Sequence, residues 1–176
     1  DRAPFVRFPG RSYVLPRSSA AAVPIETVNL NSVELILSRV SDRNLVRSLR
    51  DGYFGQPLSA WQLQTFNAEV AQEIWRGAGD VQNDLNAEMT TRLPLGDVLE
   101  GQKPGIYVLT ARAPGVDPYD VASASQWFVL SDLGITSWQG NDGLTAAVRT
   151  LGDAGAVADA TVRLISRVNA VLGSAR

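Results

Sequence analysis

The sequence contains no histidine and no cysteine. Nucleophilic catalysis by a Ser-His or Cys-His pair is therefore unavailable to this chain alone, and so are thiolate zinc ligation and disulfide stapling. Lysine is nearly absent as well: of the 16 basic residues only Lys103 is not arginine. Neither charge sign prevails, because 18 acidic residues leave a formal net charge of −2. That balance gives no general attraction to nucleic acid or to an anionic membrane surface. No apolar run approaches the ~20 residues that span a bilayer, and no signal-peptide pattern opens the chain. It begins on Asp1 and not on Met, which reads as a processed or excised piece.

What is present is apolar material in short, punctuated stretches. The chain has 176 residues, 45% of them hydrophobic, with 15 Gly and 9 Pro. This suits one large or two small folded domains and argues against global disorder. Val33, Leu35 and Leu37 alternate with Glu34 and Ser38, the period of a half-buried strand. Val23 to Leu30 reads as a second strand, with Pro24 near its start, where a missing N–H is tolerated. In "KPGIYVLTARAPG" (103–115), Ile106 and Val108 point to one side and Tyr107 and Leu109 to the other, so both faces of this strand are expected to be buried. "SQWFVLSD" (125–132) is a similar strand, and 86–94 is another, ending at Pro94.

Helical signals are few. In "SDRNLVRSLRDG" (41–52) Asp42 is a capping residue, Leu45 and Leu49 lie four apart and Gly52 follows as a stop, which predicts about two helical turns. The stretch 58–72 is ambiguous: its composition allows a short helix, while Gly55, Pro57 and Asn67 favour irregular structure. A strand is expected from Val70 through Trp75.

After Gly134 the strand pattern restarts. "ITSWQG" is a short strand, Asn141-Asp142-Gly143 a tight-turn signal, and Leu144, Ala146 and Val148 share one face of the next strand. Val162 and Leu164 share a face further on, with a strand expected over 161–172 and a turn near Val168-Asn169. Residues 1–133 thus supply about seven strands, the number in an immunoglobulin-like sandwich. Residues 134–176 supply too few to stabilise themselves without disulfide or metal. "QWFVLSDLGIT" (126–136) is then a seam between two units. Asp132, Leu133, Gly134 and Ile135 form the inter-domain joint, with Leu133 buried between the units and Gly134 free to take the bend.

Ordered phrases carry a family resemblance. "VNLNSVELILSRVSDRNLVRSL", "QWFVLSDLGI" and "ATVRLISRVNAVLGSA", with "EIWRGAGDVQNDLNAEMTTRLPLGDVL" between them, resemble the N-terminal region of bacterial alpha-2-macroglobulin-like proteins over roughly residues 5–173. The resemblance implies consecutive macroglobulin-type domains, each a fibronectin-like β-sandwich. It implies a large periplasmic parent, often tethered to the inner membrane as a lipoprotein, that traps proteases after they cut a bait region. Many members add a Cys-Gln thioester; with no Cys, none can lie in this chain. The expected fold is therefore mainly β: a macroglobulin-type sandwich with one short helix over 1–133, and the first strands of a truncated second sandwich over 134–176.

Several side-chain groups invite sharper readings. Arg39, Arg43, Arg47 and Arg50 can form a basic stripe for a partner, or a solvated face beside Asp42 and Asp51. Asp80, Asp84 and Glu88 lack the spacing of a calcium loop and read as a polar turn, as Asn141-Asp142-Gly143 reads as a hairpin turn. Trp61, Trp75, Trp127 and Trp138 can line a sugar or peptide groove or pack the core, the usual use of Trp in a sandwich; Trp61 lies in the least regular segment and is the one expected at the surface. Trp61, Arg43 and Arg47 are the candidate partner surface. No residue is assigned to catalysis, cofactor or metal. The expected function is a non-catalytic scaffold within a protease inhibitor; the alternative is an envelope binding module for a protein or glycan. An enzyme using paired carboxylates ranks last, since nothing marks such a pair. The expected partners are proteases, through the parent, and neighbouring macroglobulin domains, with neither nucleic acid nor membrane in contact with this chain. Truncation leaves sheet edges that can pair with a second copy.

Overall fold

The computed structural model describes residues 1–10, 12–15, 17, 22–117, 119 and 123–176. Its first eight strands form two sheets. A three-stranded sheet has the order β1 (Phe5–Arg7), β3 (Ala22–Val28), β6 (Glu88–Pro94). A five-stranded sheet has the order β2 (Ser12–Leu15), β8 (Ala124–Leu130), β7 (Gly105–Arg112), β4 (Ser32–Val40), β5 (Ala71–Asp80). All pairings in these two sheets are antiparallel except β2 with β8.

Strand alternation decides what lies between the layers. Val33, Leu35 and Leu37 of β4, Tyr107, Leu109 and Ala111 of β7, and Phe128 and Leu130 of β8 meet Val23, Ile25 and Leu93 of the smaller sheet in the sandwich core. The Tyr107 and Phe128 rings stack there at 5.5 Å. The opposite residues of the same strands, Val40, Val108 and Trp127, enter a second core. Both faces of the large sheet are thus covered, as the double-sided pattern of 103–115 predicts.

The second core is built by helices. A 3₁₀ turn (Asp42–Asn44) leads into α1 (Leu45–Arg50), which matches the expectation for 41–52. The ambiguous stretch 58–72 contains α2 (Ala60–Glu69), and a short α3 (Gly96–Leu99) follows β6, so the expectation of one short helix is corrected. Ser59 and Gln62 form a reciprocal capping box at the start of α2: Ser59 Oγ accepts from the Gln62 N–H, and Gln62 Oε1 accepts from the Ser59 N–H at 2.9 Å. Leu63 and Phe66 then present one face to the sheet. Phe66 and Phe54 meet the Trp127 indole edge-on at 5.3 and 5.4 Å, and its Nε1–H donates to the Gln56 carbonyl at 2.9 Å. The result is a sandwich with a helical third layer.

The chain crosses this sandwich from pole to pole. At one pole Asn29 and Asn86, both with positive φ, hold the first residues: the Asn29 amide donates to the Arg2 carbonyl at 2.7 Å, and the Arg2 N–H donates to Asn86 Oδ1 at 2.7 Å. At the other pole β8 ends at Leu130, beside Leu15 of β2.

Beyond that pole, β9 (Leu133–Gly140) and β10 (Gly143–Thr150) form a hairpin whose turn holds Asn141-Asp142, as its sequence predicts. The strand expected over 161–172 is instead a second hairpin, β11 (Val162–Ile165) with β12 (Val171–Ala175). The Ser166 hydroxyl accepts from the Ala170 N–H at 3.0 Å and Asn169 takes the left-handed conformation, which reverses the chain. Among the described residues these four strands pair only with one another. Ile135, Leu144, Ala146, Val148, Val162 and Leu164 line an open cleft of about 460 Å³ between the hairpins.

Candidate inter-unit joint and docking surface

The bend between the two units falls on residues 131–132. The Ser131 N–H donates to the Leu15 carbonyl at 3.2 Å, and the Ser131 Oγ accepts from the Leu133 N–H at 3.0 Å. This local hydroxyl turn bends the chain without a glycine. Asp132 ties three segments together. Its Oδ1 accepts from the Arg17 N–H at 2.8 Å, its Oδ2 lies 3.8 Å from the Arg17 guanidinium, and its carbonyl accepts from the Leu151 N–H at 2.8 Å. One residue therefore connects the end of β2, the joint and the end of β10. Both side chains of the ion pair are half exposed, so the geometric role outweighs the Coulombic one. Asp132→Ala is expected to lower stability by about 1 kcal/mol and to let the units tumble more independently, measured by ¹⁵N relaxation; Asp132→Asn, which keeps an acceptor, is expected to preserve the coupling.

Two expectations for the joint are corrected. Leu133 is not buried between units: it is 49% exposed, because β9 already begins there and pairs it with Thr150. Gly134 does not take the bend. It sits in β9 opposite Arg149, where an added Cβ would come within 3.1 Å of the Leu151 side chain. Its bareness lets Leu151 lie close over the strand. Ile135 turns into the cleft between the hairpins. Ser131, Arg17 and Leu151 complete the joint; the Ser-Asp dipeptide was a turn signal for the first, while the other two are joined to it only by the fold.

The expected partner surface is divided. Trp61 is 65% exposed, as its segment suggests. Arg47 reaches the far end of the same helix, pairing with Glu69 at 2.6 Å. Trp61 and Glu69 are eight residues apart on α2, roughly 12 Å along the axis. The basic stripe is also broken up. Arg39 belongs to β4 and pairs with Asp42 at 2.8 Å, while Arg47 and Arg50 share Asp51 at 3.4 and 2.9 Å. The hydrogen bond from Arg50, with that from Arg47, holds the Asp51 carboxyl below its ordinary range, and the hydrogen bond to Glu69 raises the Arg47 guanidinium above its own. Arg43 offers its backbone instead: its carbonyl accepts from the Asn169 side chain of the second unit at 3.4 Å. Among the described residues no group of three acidic, His or Cys side chains is placed to hold a metal ion.

Comparison with known proteins decides the lineage. The bacterial alpha-2-macroglobulin MG2 domain matches residues 7–128, and the MG3 domain of the same proteins matches 130–176. The chain belongs to the bacterial alpha-2-macroglobulin family. It is 25% identical over 175 residues to the alpha-2-macroglobulin of Escherichia coli strain K12, covering 99% of this chain and 10% of that protein. The chain thus spans about one-tenth of the length of this alpha-2-macroglobulin. The crystal structure of native E. coli alpha-2-macroglobulin spanning domains NIE-MG1 superposes with a TM-score of 0.77 at 25% identity, covering 99% of this chain and 83% of that one. The trypsin-activated E. coli alpha-2-macroglobulin shares the fold with a TM-score of 0.81 at 22% identity, over 98% of this chain and 12% of that one. The mainly-β, macroglobulin-type architecture expected from the sequence is the observed one.

Proposed function

We propose that this chain is non-catalytic scaffold in a protease-trapping alpha-2-macroglobulin of the bacterial periplasm, whose parent is anchored to the inner membrane as a lipoprotein. The observation that carries the reading is the path of the chain. It runs from the Asn29–Asn86 pole to the Asp132 pole through a sandwich whose large sheet is covered on both faces, and Asp132 links the segment after β2 to the end of β10. A body built this way moves as one piece when a cleavage elsewhere rearranges its neighbours.

The division we propose is a macroglobulin-type sandwich over 1–133 and the opening strands of a second over 134–176. The open apolar cleft between the two hairpins supports it, since such a face is stable when further strands cover it. In the parent those strands come from neighbouring sequence, and a second copy of this chain is the substitute when they are missing. Among the described residues no helix is long and apolar enough to cross a membrane.

Trapping requires the parent's cleavable segment and its moving shell. The 176-residue chain by itself is therefore expected to leave the turnover of trypsin and elastase unchanged at a large molar excess. Measurable inhibition of either enzyme would overturn the scaffold reading.

A further inference from the structure

The pole that carries the joint also carries a cleft that the scaffold role leaves unused. It lies between α1 and the β11–β12 turn, has a volume of about 400 Å³, and is lined by Val46, Leu49, Arg50, Ile165, Ser166 and Arg167. Its walls come from two units about 120 residues apart in sequence, joined at one edge by the Asn169–Arg43 hydrogen bond. Leu49 and Ile165 remain 57% and 45% exposed, so the apolar floor is open to solvent. Each wall also contributes an arginine, Arg50 on one side and Arg167 on the other.

The charge around the cleft is unbalanced. Arg50 shares its carboxylate, Asp51, with Arg47, and Arg47 takes Glu69 as its second partner. Among the described residues no ion pair includes Arg167. Two like charges on facing walls oppose collapse of the cleft onto its own apolar floor. A ligand carboxylate placed between them meets both, and an apolar side chain beside that carboxylate covers Leu49 and Ile165.

We propose that this cleft docks an acidic peptide segment of a partner protein, one in which Glu or Asp alternates with large apolar residues. The apolar side chains supply the contact area, and the carboxylates supply selection against basic segments. Because the walls belong to different units, a docked segment bridges them and restrains the joint at Asp132. The inference does not depend on the scaffold reading, because it rests on the cleft alone.

The test uses the 176-residue chain and two fluorescein-labelled ten-residue peptides, one alternating Glu with Leu and one alternating Lys with Leu, followed by fluorescence anisotropy. The acidic peptide is expected to bind and the basic one to bind at least tenfold more weakly. Arg50→Glu and Arg167→Glu are each expected to weaken acidic-peptide binding about tenfold, because each turns one opposite-charge contact repulsive. Leu49→Ser is expected to weaken it severalfold. Arg92→Glu, an exposed change of the same net charge on β6, is expected to leave it unchanged. These sites are exposed, and circular dichroism confirms that each variant folds. The proposal is overturned by absence of acidic-peptide binding, by equal binding of the basic peptide, or by Arg92→Glu weakening binding as much as Arg167→Glu.

Discussion

Trp127→Ala is expected to lower the free energy of unfolding by about 4 kcal/mol and to detach α2 from the sheet. Trp127 is fully buried and is the meeting point of Phe54, Phe66 and the sheet. Truncation removes the ring that both phenylalanines contact and leaves the Gln56 carbonyl without its donor. Cavity and orphaned acceptor therefore act together. Trp127→Phe keeps most of the packing and loses the N–H, so it is expected to cost about half as much. Trp61→Ala, on the exposed face of the same helix, is expected to change stability by no more than about 0.5 kcal/mol. Urea unfolding read by far-ultraviolet circular dichroism separates the three. Equal losses at Trp127 and Trp61 would show that the helical layer does not depend on the indole.

The second large effect concerns the two units. Amide protons of β11 and β12 are expected to exchange about a thousandfold faster than those of β4 and β7. In β4 and β7 the hydrogen bonds lie in the centre of a five-stranded sheet with side chains buried on both faces. In β12 every residue is exposed, and β11 has a single hairpin partner. A two-stranded hairpin with an open apolar face has little to lose on opening. Hydrogen exchange followed by mass spectrometry on peptides 32–40 and 162–175 measures the ratio. Protection of 162–175 as strong as that of 32–40 would mean that something covers the cleft in solution, and a molar mass twice that of the chain would name a second copy.

Much of this architecture was legible before folding. The alternation in β4 and the double-sided burial of β7 follow from residue period alone, because a strand's faces are set by its own pleat. The restart of the strand pattern after the joint was legible for the same reason. The α2 helix was obscured by Gly55, Pro57 and Asn67, although Ser59 and Gln62 already spelled its capping box. The error at Leu133 has a different origin. An apolar residue at a seam reads as buried there, but the strand of Leu133 opens toward solvent and its neighbours do not close over it.

The sequence by itself determined the mainly-β class, the absence of His and Cys chemistry, and the family. These are local properties: period, composition and ordered phrases. Only the tertiary structure decided that Arg39 leaves the basic stripe, that Asp132 reaches both Arg17 and Leu151, and that Arg50 and Arg167 face one cleft. Such contacts join residues up to about 120 positions apart. No spacing rule encodes them, because they arise when packing of the two cores brings distant strand ends to the same pole.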